Sequence, residues 1–211
     1  KKGAVIVFSA AVMTLGAVGS AGAATIVADT TGSDDFFDSD FYGISFLAGK
    51  VGDYIQSIVF DLRASGNPNA QFDFMPGSPD DPFGPVFGSG VGLNAGDVTF
   101  TPNNTSGSPT LTLDFAANSF GVGDSLRFGA DTDFLVNPNS LFDNGGEFGD
   151  DGVGISVTLQ NGLSGDAIFS KVSTTQSQAT VDIPHVPEPT STISLLALGI
   201  LGAGSMLKRN H

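Results

Sequence analysis

The chain has 211 residues, of which 22 are acidic and 8 are basic, so its formal net charge is −14. With 40% apolar residues it is too hydrophobic for a disordered acidic tail, and this charge balance does not fit a protein that binds nucleic acid through clustered Lys and Arg. Cysteine is absent, which excludes disulfides, thiol nucleophiles and Cys-based zinc sites.

The first 24 residues have the pattern of a secretory signal peptide. Two lysines are followed by an apolar stretch over residues 4–18 and then by small residues with an Ala-x-Ala site at Ala21 and Ala23. A positive start, a short apolar stretch and such a site are the three parts of a signal peptide. The alternative is a buried N-terminal helix. We predict a signal-peptide helix within residues 1–24 and cleavage after Ala23 or Ala24.

Short alternating runs dominate the body of the chain over residues 25–183. Apolar and polar residues alternate with a period of two, which is typical of strands with one buried face. Turn-forming residues separate the runs, and no window has the 3.6-residue period of a core helix. We predict one mainly β domain of about eight strands, an antiparallel β-sandwich or jelly-roll. The alternating residues are Ile58, Phe60 and Leu62; Phe72 and Phe74; Val98 and Phe100; Leu111, Leu113 and Phe115; Leu126 and Phe128; Val153, Ile155, Val157 and Leu159; Ala167 and Phe169; Ala179, Val181 and Ile183.

Two stretches interrupt this pattern. Residues 65–92 contain five prolines, together with Phe83 and Phe87. Long loops are often functional, so this stretch is either a binding loop or, as we favour, a loop whose phenylalanines pack back onto the sandwich. Residues 173–178 are rich in Ser, Thr and Gln, and we interpret them as a spacer or a polar strand edge.

The acidic residues of the body suggest a calcium site. Asp131 and Asp133 follow one predicted strand, and Asp143 and Asp150 lie on a glycine-rich stretch shortly after it. If the strand ending at Ala130 pairs with the strand that starts at Gly152, these four carboxylates could converge. Calcium prefers such oxygen ligands. The alternative, which we favour, is solvated turn aspartates that keep the protein soluble.

Catalytic patterns are scarce. The two histidines, His185 and His211, lie near the C-terminus, outside the predicted body, so a Ser-His-Asp triad or a His-based metal site is not expected there. A hydrolase would need two facing carboxylates, for which Glu147 with Asp150 or Asp151 is the first choice. We predict that the protein is not an enzyme.

Aromatic residues provide a different functional hypothesis, a carbohydrate-binding module. Such a site needs an exposed aromatic platform, and the chain has no Trp. The candidates are Tyr42, Tyr54, Phe83 and Phe87. A β-sandwich alone does not imply this function.

The C-terminal region over residues 184–211 has three parts in order. The motif Val186-Pro187-Glu188-Pro189 is followed by an apolar span over residues 193–207 and by a basic end, Lys208-Arg209. The span has no polar face, so it does not suit a surface helix of a soluble domain. As a helix it would be about 22 Å long, which makes a short membrane span.

This tail resembles the PEP-CTERM sorting signal of bacterial surface proteins. The resemblance rests on the Pro-Glu-Pro motif, the apolar span and the basic end. It implies recognition by an exosortase, an integral-membrane processing enzyme, followed by release or transfer to the cell surface or extracellular matrix. The alternative is an ordinary C-terminal membrane anchor. Residues 123–133 and 148–153 also resemble the body of many PEP-CTERM proteins of unassigned activity.

These patterns together predict an exported, acidic surface or matrix protein with a structural or interaction role. Lysines at the start and Lys208-Arg209 at the end both favour the cytoplasmic side, so the body lies outside. The expected partners are the membrane, through a transient anchor, and an exosortase-type enzyme. Extracellular polysaccharide is the partner in the carbohydrate-binding alternative, and no nucleic acid is expected.

Overall fold

A computed structural model describes residues 22–32, 39–64, 70–72, 85–102, 107–134, 137–141 and 145–185. They fall within one compact unit, Gly22–His185, and most of them lie in strands. The one α-helix among them, α1, has four residues, Glu147–Asp150. The strands are β1 (Ala24–Thr31), β2 (Tyr42–Ala48), β3 (Ile55–Asp61), β4 (Ala70–Phe72), β5 (Val86–Val91), β6 (Val98–Thr101), β7 (Thr110–Phe115), β8 (Ser125–Gly129), β9 (Thr132–Phe134), β10 (Asn137–Leu141), β11 (Gly154–Leu159), β12 (Ser164–Ile168), β13 (Ser170–Ser173) and β14 (Gln176–Ile183).

The strands form two large antiparallel sheets and one small sheet. The six-stranded sheet has the order β13-β14-β1-β2-β8-β5, and the five-stranded sheet has the order β12-β11-β3-β7-β6. A three-stranded sheet, β10-β9-β4, completes the described part. The first and last strands of the domain pair over their whole length, from Ala24 opposite Ile183 to Thr31 opposite Gln176.

Apolar side chains of both large sheets share one core. Burial alternates along β1, β11 and β14, as expected for strands with one inward face. Tyr42 of β2 stacks on Phe128 of β8 with ring centroids 4.7 Å apart, and both rings contact Phe60 of β3 in the other large sheet, at 5.6 and 5.8 Å. The inner faces of the two sheets therefore contact each other through aromatic rings.

The predicted mainly β, antiparallel class is confirmed, with more strands than predicted. The alternating runs match β3, β4, β6, β7, β8, β11, β12 and β14. Strands β1, β2, β5, β9, β10 and β13 were not predicted. Glycines obscure the alternation in β5, which lies inside the stretch 65–92 interpreted as irregular. Of the two interpretations of residues 173–178, the spacer is wrong and the polar strand edge is confirmed, because these residues form the end of β13, the turn of the β13–β14 hairpin and the start of β14.

Both predicted terminal segments lie outside the described residues, as does Phe74. These segments are the predicted signal-peptide helix and the predicted C-terminal hydrophobic helix. Among the described residues, no helix combines the length and the apolar character needed to span a membrane.

Two connections join the large sheets at the same end of the domain. Residues 49–54 lead from β2 to β3, and residues 116–124 lead from β7 to β8. Ala48 at the end of β2 lies opposite Thr25, so this end of the domain is also where β1 starts and β14 ends. We call it the terminal end.

Candidate functional site at the terminal end

The tripeptide Val-Gly-Asp occurs in both connections and forms the same turn twice. In residues 50–53 the Asp53 N–H donates to the Lys50 carbonyl at 3.0 Å, and in residues 121–124 the corresponding bond measures 3.1 Å. Gly52 and Gly123 occupy the third position with φ of 92° and 94°. This left-handed conformation is typical of the third residue of a type II turn and favours glycine. We call these two segments the twin turns.

The aspartate of each turn closes it with a second hydrogen bond. The Lys50 N–H donates to Asp53 Oδ2 at 2.6 Å, and the Gly121 N–H donates to Asp124 Oδ2 at 2.8 Å. A β-bridge between Tyr54 and Gly121 joins the two turns. A groove of about 290 Å³ lies between them, lined by residues of both turns and by Tyr54.

Asp53 also forms a buried pair with a histidine from the end of the domain. His185 Nε2 lies 2.8 Å from Asp53 Oδ2, and the two side chains are only 4% and 5% exposed. The second carboxylate oxygen of Asp53 accepts a hydrogen bond from Asn161 Nδ2 at 3.1 Å. His185 Nδ1 contacts the carbonyl oxygen of Gly22. We call this pair and its two neighbours the clasp.

Both ring nitrogens of His185 face oxygens that act as acceptors. A carbonyl oxygen can only accept, and an ionised carboxylate can only accept. The imidazole ring is therefore enclosed by two oxygens, and Asp53 Oδ2 also accepts the Lys50 N–H.

These contacts assign His185 a structural role. A catalytic histidine needs one nitrogen directed at a nucleophile or substrate, while the other is held by a carboxylate. Here Asp53 occupies one nitrogen and Gly22 the other. The clasp instead connects the start of β1, the first twin turn and the end of β14.

The prediction that His185 lies outside the folded body is wrong. The domain extends to residue 185, and the histidine is held by a partner 132 positions earlier in the chain. Local sequence patterns cannot predict a contact between two residues so far apart in the chain. The repeated Val-Gly-Asp tripeptide was visible in the sequence and marks one side of the site.

The aromatic candidates for carbohydrate binding are mostly occupied by packing. Tyr42 is fully buried in the core, because β2 is a central strand of its sheet, so it cannot be part of an exposed platform. Phe87 packs against the core, as the packing interpretation of its loop predicted, and Phe83 lies outside the described residues. Tyr54 is half-buried and lines the groove between the twin turns.

The strand pairing on which the calcium hypothesis depends is not formed. Strand β8 pairs with β2 and β5, whereas β11 pairs with β3 and β12 in the other large sheet. Asp131 is buried, and the side chains of Asp133 and Asp143 are outside the described part. Within that part, no group of three or more His, Asp or Glu residues could hold a metal ion.

Asp150 and its neighbours form a separate acidic cluster at the other end of the domain. The Lys171 ammonium of β13 donates to Asp150, and the Asp151 N–H bonds to the carbonyl of Glu147 at 2.8 Å. Burial raises the pKa of Asp151 above its ordinary value, and the negative charge of Asp150 raises it further. The Asp150 carboxylate therefore faces the Lys171 ammonium. None of these contacts directs it toward the Glu147 carboxylate, as a hydrolytic pair would require.

The sorting residues Val186, Pro187, Glu188, Pro189, Lys208 and Arg209 lie outside the described residues. The last described residue, His185, directly precedes the motif. Comparisons with protein-family models, with curated proteins and with solved structures found no match for this chain.

Proposed function

We propose that this chain is an exported bacterial surface or extracellular-matrix protein that is sorted through its PEP-CTERM tail. One observation carries the proposal: the compact unit begins at Gly22, beside the predicted signal-peptide cleavage site, and ends at His185, one residue before Val186. The two predicted processing signals therefore flank the folded unit. Cleavage at the predicted sites would remove no more of the sheets than Ala24, the first residue of β1.

The domain between these signals is, in this proposal, a non-catalytic β-sandwich. Its two large sheets contact each other through the rings of Tyr42, Phe60 and Phe128, which supports the sandwich arrangement. The one described histidine is held by the buried Asp53 carboxylate. Cleavage after Ala23 or Ala24 leaves this contact in place, and the contact supports a structural or interaction role. Before processing, the signal peptide and the tail hold the chain at the inner membrane with the domain on the outer side.

Mass spectrometry of the mature protein tests this proposal. We expect an N-terminus at Ala24 or Thr25 and loss of the apolar span and basic end. A Glu188→Ala variant should retain the tail and stay with the membrane fraction. An Asp182→Asn variant, which changes an exposed acid on β14, should be processed normally. Secreted material that still contains Lys1 or Lys208-Arg209 would overturn the proposal.

A carbohydrate-binding role remains a second candidate because Tyr54 lines the groove of the twin turns. An aromatic ring beside polar turn residues is the kind of surface on which a sugar ring packs. A glycan array should then give binding that a Tyr54→Ala variant loses. An array without binding would favour the structural role.

A further inference from the structure

Both ends of the described chain leave the domain at its terminal end. His185 contacts the carbonyl of Gly22, and Ala24 pairs with Ile183. The buried His185–Asp53 pair fixes the end that follows β14 to the first twin turn, and pairing with β14 holds the start of β1 beside it. Any segment that precedes Gly22 or follows His185 therefore starts from this end of the domain.

The twin turns present apolar side chains to the outside at the same end. Val51 is fully exposed at the tip of one turn, and Val122 is 44% exposed at the tip of the other. Both line the same groove, and Lys50 is next to Val51. Exposed valines beside a lysine suit the interface of a bilayer, where apolar groups enter the headgroup region and the ammonium stays at its surface.

We propose that the twin turns are the face that the domain turns toward the lipid bilayer while its tail anchors it. This inference rests on the proposed function. Seven residues, 186–192, separate His185 from the apolar span. Fully extended, they reach at most about 25 Å, so the terminal end cannot move far from the membrane surface. The occupant of this face is the surface of a phospholipid bilayer.

In this orientation the opposite end of the domain lies farther from the bilayer than the terminal end, by about the length of a strand. Strand β14 runs over eight residues from the β13–β14 turn to the terminal end, which corresponds to about 26 Å. Thr174 lies in that turn and is exposed. It is therefore a suitable reference position, because it is exposed like Val51 but lies at the far end of the same domain.

The absence of cysteine allows site-specific labelling without other changes. Full-length Val51→Cys, Val122→Cys and Thr174→Cys variants would each carry one fluorophore and be reconstituted into phosphatidylcholine vesicles. A fraction of the lipids would carry a headgroup nitroxide as quencher. We expect fluorescence loss at positions 51 and 122 to be at least about twofold larger than at position 174, given a depth difference of roughly 26 Å.

Flotation of the same samples separates the possible failures. Protein that floats with the vesicles but is quenched equally at all three positions, or most at position 174, overturns the orientation and leaves the proposed function intact. Protein that does not float overturns both the membrane anchor and the orientation. Unchanged melting temperatures of the three variants show that labelling reports on the folded domain.

Discussion

Replacement of His185 by alanine should destabilise the domain strongly. It leaves the Asp53 carboxylate, which is only 5% exposed, with two hydrogen-bond donors instead of three. Removal of one hydrogen-bond partner from a buried polar group costs about 1–3 kcal/mol, and more when the group is charged. The Lys50 N–H and the Asn161 amide remain, but loss of the buried imidazole also leaves a cavity, so we expect about 3 kcal/mol. For a domain of this size that lowers the melting temperature by roughly 6–12 °C.

Chemical and thermal unfolding of the full chain measure this effect. Asp182→Asn is the matched control, because this exposed carboxylate also lies near the end of β14 and accepts only a surface bond from Thr25 at 2.7 Å. It should change stability by less than about 0.5 kcal/mol. The combination of His185→Ala with Asp53→Asn should cost less than the sum of the two single changes. A His185→Ala variant as stable as Asp182→Asn would refute the clasp.

Three further predictions concern the turns and the acidic residues. Gly52→Ala and Gly123→Ala should each cost about 1–2 kcal/mol in unfolding experiments, because both need a positive φ; no loss would contradict the turn geometry. Asp151→Asn should raise the melting temperature at pH 7, because its raised pKa means that ionisation opposes folding there. This gain should shrink as the pH falls through that pKa, and a constant gain would exclude this cause. Calcium and magnesium should affect the melting temperature equally at matched ionic strength; a calcium-specific increase that is lost on combining Asp131→Asn with Asp133→Asn would establish a calcium site.

Alternation was enough to predict the strands whose inner faces bear large side chains. In β11 and β7, Ile, Val, Leu and Phe alternate with polar residues, and this pattern needs no knowledge of the neighbouring strands. It fails in β1, where two of the inward residues, Ala24 and Ala28, are small, and in β5, where glycines interrupt it. The buried position of Tyr42 depends on which strands flank β2, and alternation does not contain that information.

The site at the terminal end was beyond the reach of local patterns. The clasp joins Asp53 to His185 across most of the domain, and each residue alone resembles an ordinary polar residue near a turn or a chain end. The turn glycines could be anticipated, since Gly and Asp are both common in turns. The two turns meet in one groove because β2 and β8 are neighbours in one sheet and β3 and β7 are neighbours in the other. Local sequence patterns do not predict this order of strands.

The pairing of the first strand with the last affects when the domain can fold. Strand β1 lies between β2 and β14, so about half of its backbone hydrogen-bonding groups have no partner until β14 joins the sheet. Under the proposed export from the N-terminus, β1 and β2 would emerge early while β14 is still inside the cell. The six-stranded sheet would then be completed only after nearly the whole domain had been translocated, and until that point β1 would be an open edge that can pair with other chains. Such long-range closure makes folding slow, so an exported chain of this topology would stay unfolded almost to the end of translocation.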